Sequence, residues 1–146
     1  MNLIEIAAPD FDVDITLAYA TPENFTGEPI YQNAICYLHT EAAEALTRAV
    51  ETADNLGYRM RIFDAFRPSE AQWVLWNHTP DPDFLADPRR GSPHSRGVAV
   101  DLNLTTVDGQ PLDMGTGFDA FTPKSHHGNT GISKTAQQNR LTLLGI

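Results

Sequence analysis

The sequence predicts an α+β fold, a mostly antiparallel sheet flanked by helices. Three observations point there: two-residue alternation at 10–20, 58–64 and 98–104, three- and four-residue apolar spacing at 40–57, and an order of these segments too irregular for a doubly wound parallel sheet. In residues 10–20, Phe11, Val13, Ile15 and Leu17 alternate with acidic or polar residues, the pattern of a half-buried strand. After a loop with Pro22, Gly27 and Pro29, Thr40 is the expected N-cap of a helix. Its apolar stripe runs through Ala42, Ala45, Leu46, Ala49, Val50 and Ala53 and stops at Gly57.

Tyr58, Met60 and Ile62 alternate with Arg59, Arg61 and Phe63, so a strand is expected to end near Asp64. Pro68 then suits the first position of a second helix carrying Trp73 and Trp76, three apart as core residues often are. Five prolines and glycines between Thr79 and Pro93 (Pro80, Pro82, Pro88, Gly91, Pro93) predict an extended loop. Val98, Val100, Leu102 and Leu104 form the apolar face of a further strand whose other face carries Asp101. Asp108-Gly109 is a hairpin signal with only a short return strand, and Ser133 is expected to cap a last helix.

Composition narrows the function. Ten Lys and Arg against 19 Asp and Glu give a net charge of −9, which disfavours nucleic acid and anionic membranes as partners and favours a small neutral or zwitterionic ligand. With 41% hydrophobic residues, the 146-residue chain suffices for one core without staples. Cys36 is the only cysteine, in an apolar run that suggests an inert buried thiol, so no disulfide is available within the chain. No basic n-region or long apolar run occurs, and a cytoplasmic, soluble protein is expected. A homo-oligomer is compatible with these features.

The segment with chemistry in it is Gly91-Ser92-Pro93-His94-Ser95-Arg96-Gly97-Val98-Ala99-Val100-Asp101. His94 lies in a loop and Asp101 on the polar face of the next strand, so an imidazole and a carboxylate can converge across one turn, with Gly97 allowing the bend. Zinc accepts such ligands, three in a catalytic site with a fourth position for water. On spacing alone, a hydrogen-bonded surface pair is the simpler reading. The remaining histidines carry less: His126 and His127 are adjacent in a polar loop, and His39 and His78 flank helices.

Ser92 to Asp101, read as Ser-x-His-x-x-Gly-x-Ala-x-Asp, resembles the zinc-ligand motif of the D-alanyl-D-alanine dipeptidases, the vancomycin-resistance-type branch of the zinc D,D-peptidases. Ala18-Tyr19-Ala20, Asn24-Phe25-Thr26-Gly27, Asp64-Ala65-Phe66-Arg67-Pro68, Asp113-Met114-Gly115, Gly117-Phe118-Asp119, Ser125-His126-His127 and Gln138-Asn139-Arg140 are similar to that family in the same order. The resemblance implies a zinc D,D-peptidase-like fold with one Zn2+ per chain, held by His94 and Asp101. It also implies Arg67 as the cation steadying the oxyanion, Ser92 and Tyr19 as substrate contacts, and Asp119 near the ammonium group of a small D,D-dipeptide. A structural ion pair with Asp64 remains open for Arg67, and turn or core hydrogen bonding for Ser92, Tyr19 and Asp119.

The family pattern goes on to a Glu-x-x-His element that supplies a general base and a third ligand. Here the last glutamate is Glu70, and the chain ends on the apolar run Leu143-Leu144-Gly145-Ile146. The expectation is therefore a single D,D-dipeptidase-like domain over 1–146, truncated at its C-terminus, with doubtful turnover. Two alternatives stand beside it: a non-catalytic protein binding zinc or a dipeptide, and a related cell-wall D,D-carboxypeptidase or endopeptidase. The implied roles are vancomycin resistance or recovery of alanine from cell-wall precursors.

Overall fold

The computed structural model describes residues 1–146. Its elements are β1 (Leu3–Glu5), β2 (Asp14–Ile15), β3 (Tyr37–His39), α1 (Thr40–Asn55), β4 (Tyr58–Asp64), α2 (Ser69–His78), β5 (Asp101–Thr106) and α3 (Lys134–Gly145). β1 and β3 form an antiparallel pair. β2, β4 and β5 form a second sheet in that order, with β2 parallel and β5 antiparallel to β4. The architecture is the expected α+β, mostly antiparallel with helices.

α1 starts at Thr40, but its cap is His39, whose Nδ1 accepts from the Glu41 N–H at 3.4 Å. Thr40 is not the N-cap because its hydroxyl donates instead to the Asn2 carbonyl, tying the helix start to β1. The buried stripe is Ala43, Leu46 and Ala53, and Ala45 is exposed. These residues pack with Met60 and Ile62 of β4, Leu104 of β5, Leu38, Ile6 and Phe11 in one core. Cys36 is buried there too, and its thiol is pushed up to about 12 by burial and by the nearby Asp64 and Glu5 carboxylates.

The alternation at 10–20 forms only the two-residue β2, because the chain leaves the sheet at Ala18–Ala20 in a 3-10 turn that buries Tyr19. Tyr19 joins a smaller core with Leu75 and Leu85, against which Phe25, Tyr31, Trp76 and Phe118 pack. Trp76 thus packs as expected, whereas Trp73 is 42% exposed on the outer side of α2. Pro68 stands one position before the first helical residue, as the N-cap of α2.

β5 begins later than its apolar pattern suggests. Val98 is 49% exposed, since its N–H is bonded to the Pro93 carbonyl and Gly97 before it is left-handed at φ 71°. After Gly109, whose N–H closes the turn onto Thr106, the return strand is reduced to the bridge between Thr105 and Pro111. Ser133 caps α3 as expected, accepting from the Ala136 N–H at 3.0 Å. At the end of the chain Leu143 and Ile146 pack on the main core, so the apolar tail is not without a partner; Leu144 and Gly145 between them are exposed. No helix is long and apolar enough to cross a membrane.

Gly97 has no room for a side chain. A Cβ there would lie 2.8 Å from Leu3 Cδ2 and 3.0 Å from the His39 nitrogen, which itself donates to the Gly97 carbonyl. Gly97→Ala is expected to lower stability by roughly 1–3 kcal/mol, seen as a lower urea midpoint at unchanged m. An unchanged midpoint would refute this close approach.

Candidate active site

Alternation along β4 would place Phe63 opposite Asp101. Instead the register shifts: Ile62 pairs with Leu102, and the next pair is Asp64 with Asp101, so β4 advances two residues while β5 advances one. A bulge of this kind re-aims side chains, and here it brings two carboxylates level at the end of the sheet.

The segment after Asp64 is braced against the His94 turn from both sides. The Arg67 N–H donates to the His94 carbonyl at 3.1 Å, and His94 Nδ1 lies 2.8 Å from the Ala65 carbonyl. A carbonyl can only accept, so Nδ1 carries the proton and Nε2 keeps its lone pair. Nε2 lies 3.5 Å from Asp101 Oδ1. Asp64, His94 and Asp101 together form a cluster whose potential ligand atoms lie within 4.8 Å of one another.

The cluster suits a metal ion, with unequal shares. A tetrahedral ion with bonds of about 2.0–2.2 Å spaces adjacent ligands by about 3.4 Å. The His94–Asp101 separation matches that spacing and is too long for a good hydrogen bond. The ring is already oriented through its other nitrogen, as ligating histidines usually are. Asp64, in contrast, is consumed: its Oδ2 accepts from Arg67 Nε at 2.9 Å and Nη2 at 2.6 Å, and its Oδ1 accepts from the Tyr31 hydroxyl at 2.6 Å. His94 and Asp101 are the two groups free to hold an ion, and Asp64 orients Arg67. Burial opposes charge on His94, but the Asp101 carboxylate outweighs it and raises the imidazole's pKa.

Arg67 is 4% exposed. Burial disfavours its charge, yet Asp64 and the surrounding oxygens hold its pKa above the usual arginine value. Besides the two bonds to Asp64, its Nη1 donates to Gln72 Oε1 at 2.7 Å, and Nη2 stands 3.7 Å from Asp101 Oδ2. Of five guanidinium N–H groups, three are committed and two remain, one on Nη1 and one on Nη2, the nitrogen that stands beside Asp101. The ion pair with Asp64 and a role as electrophilic donor are thus compatible in one side chain.

Tyr19 connects this group to Asp119. Its ring lies 5.0 Å from Arg67 Cζ, and its hydroxyl donates to Asp119 Oδ2. Burial and the Asp119 carboxylate push the tyrosine pKa up, keeping the hydroxyl protonated. Asp119 sits at φ 54°, a conformation rare for a residue with a side chain. Burial pushes its carboxyl up to about 6, with Asp101 and Asp64 adding to the effect and the Tyr19 hydrogen bond opposing it. Ser92 is buried in the turn before His94, where its Oγ accepts from the His94 N–H at 3.2 Å. Its hydroxyl shapes the turn that presents the imidazole.

A cleft of about 1210 Å³ borders the site, lined by Asp101, Asp119, Phe63 and Phe118 and continuing to Met114 and Leu143. It is larger than a dipeptide requires. His126 stacks on Phe84, and Phe84 on Phe121, away from the cluster, and His39 and His78 serve at helix ends as expected. Two members of the site had no signal in the motifs: Tyr31, which reaches Asp64 from a loop, and Gln72, in the first turn of α2.

The model of the D-ala-D-ala dipeptidase family of peptidases matches residues 1–146. The D-alanyl-D-alanine dipeptidase of Escherichia coli K12 is 43% identical over 145 residues, 99% of this chain and 75% of the relative. Those of Enterococcus faecium and Streptomyces coelicolor are 37% and 35% identical, each over 88% of this chain and 74% of the relative.

The raised Asp119 pKa carries a sign that can be measured. Its folded value of about 6 lies above the ordinary 3.8, so its contribution to stability is full below about pH 4 and lost as pH rises through about 6. The unfolding free energy of the wild type minus that of Asp119→Asn should therefore fall between pH 4 and pH 7 in urea titrations. A constant or rising difference would contradict a buried, destabilised carboxylate.

Proposed function

The chain belongs to the D-ala-D-ala dipeptidase family, and from that premise we propose that it acts on D-alanyl-D-alanine as a zinc-dependent hydrolase. The observation that carries this reading is the 3.5 Å gap between His94 Nε2 and Asp101 Oδ1 beside the uncommitted donors of Arg67. His94 and Asp101 would hold the ion. When bound, zinc supplies Lewis acidity at the scissile carbonyl and makes a water nucleophilic near neutral pH.

The other residues divide the substrate between them. Arg67 donates to the carbonyl oxygen as negative charge develops there, from a buried position, and Asp64 keeps the guanidinium charged and aimed. Asp119 accepts the substrate's ammonium group, and Tyr19 holds the Asp119 carboxylate in place while separating it from Arg67. That division suits a zwitterion with one peptide bond. It suits neither nucleic acid nor a membrane, and a cytoplasmic setting, in resistance to vancomycin or in alanine recovery, follows from the reading.

The general base has no candidate among the glutamates, all of which precede Ser92. Residues 1–146 are therefore expected to bind zinc and dipeptide and to turn over slowly, on the order of 10² to 10⁴ below the E. coli dipeptidase assayed alongside.

Calorimetry on the zinc-loaded chain tests the proposal. D-Ala-D-Ala should bind, more weakly below pH 6 as Asp119 protonates, and more weakly in Arg67→Ala and Asp119→Asn; His94→Ala should abolish stoichiometric zinc binding. No dipeptide binding, or binding indifferent to both variants, would overturn the reading.

A further inference from the structure

We propose that Gln72 is a positioning residue for Arg67, setting the direction in which the guanidinium presents its free donors. The inference rests on the reading that Arg67 serves the scissile carbonyl. Both bonds from Arg67 to Asp64 end on one oxygen, Oδ2. A guanidinium held by a single oxygen can pivot about it, unlike one gripped by both oxygens of a carboxylate. The second fixed point is Gln72 Oε1, 2.7 Å from Nη1 on the opposite side of the group.

Gln72 is itself immobile. It is 1% exposed, and its Nε2 donates to the Ala86 carbonyl at 2.7 Å. Because arginine only donates and a backbone carbonyl only accepts, the amide can satisfy both neighbours in one orientation alone. Flipping it would set two donors face to face at Arg67 and two acceptors at Ala86. The amide therefore transmits the position of the loop after α2 to Arg67, and that loop also carries Phe84, stacked on Phe121 two residues from Asp119. The two ends of the site are thereby linked through Gln72 on one side and Tyr19 on the other.

Two variants separate positioning from plain stability. Gln72→Met keeps the length and removes both hydrogen bonds, while Gln72→Glu keeps an acceptor for Nη1 and loses the donor to Ala86. Side-chain nitrogen NMR of Arg67 is read together with calorimetry for D-Ala-D-Ala on the zinc-loaded chain. Gln72→Met is expected to average the Nη1 proton signals while sparing Nε–H, and to weaken dipeptide binding about tenfold, the worth of one hydrogen bond to a charged group. Gln72→Glu should retain both the Nη1 signals and most of the affinity, even if its melting temperature falls as far as that of Gln72→Met.

Unchanged Nη1 signals in Gln72→Met would overturn the proposal, as would parallel losses in both variants that track melting temperature. If the wild-type chain binds no dipeptide, the functional reading fails, and the Nη1 signals still decide whether Gln72 holds the guanidinium.

Discussion

The buried pair of Asp64 and Arg67 is the interaction around which the rest of the site is arranged. Asp64 is fully buried and Arg67 nearly so, and each charge is tolerable there because the other is present. Their surroundings follow from that requirement. Tyr31 supplies the other oxygen of Asp64 with a donor, Gln72 takes a third hydrogen from Arg67, and the Tyr19 ring lies against the cation. The backbone adds to the same knot: Phe66 N–H bonds to Tyr37 in β3 and Arg67 N–H to His94. A main-chain segment held at so many points is a rigid base for a histidine braced against it.

Charge balance explains why such a knot is built near open space. Asp64, Asp101 and Asp119 stand close to one permanent cation, Arg67, so the site carries negative charge in excess while His94 is neutral. At Asp119 burial raises the carboxyl pKa and the excess adds to it; at His94 burial opposes the charged form and the excess overcomes it. A metal ion between His94 and Asp101 and an ammonium group at Asp119 would relieve the excess. The proposed ligands are thus cations, which this excess of negative charge favours.

Much of this was legible in the sequence, for reasons that differ by element. α1, β4 and α3 follow from local rules: apolar periodicity, a glycine stop and a serine cap. His94, Asp101 and Arg67 stand out because their spacing forms a motif with a chemical purpose. Patterns were misleading where tertiary bonds compete with periodicity. The alternation at 10–20 shrinks to β2 because Tyr19 is drawn into the smaller core, and Val98 is lost from β5 because the Pro93 turn claims its N–H. Thr40 is a good cap by type, but its hydroxyl has a nearer use on Asn2.

By itself the sequence determined the fold class, the family resemblance and the residue types available for chemistry, since these depend on local periodicity and on motifs contiguous in the chain. Only the tertiary structure decided how those residues share the work. The one-residue shift between β4 and β5 sets Asp64 level with Asp101, and the donors that reach Asp64 from Tyr31 and Arg67 remove it from the ligand set. Gln72 acquires its role in the same way, through contacts with a side chain five residues away and a carbonyl fourteen residues away. Hydrogen-bond capacity is finite, and which partner claims each donor and acceptor is settled by packing that no local pattern records.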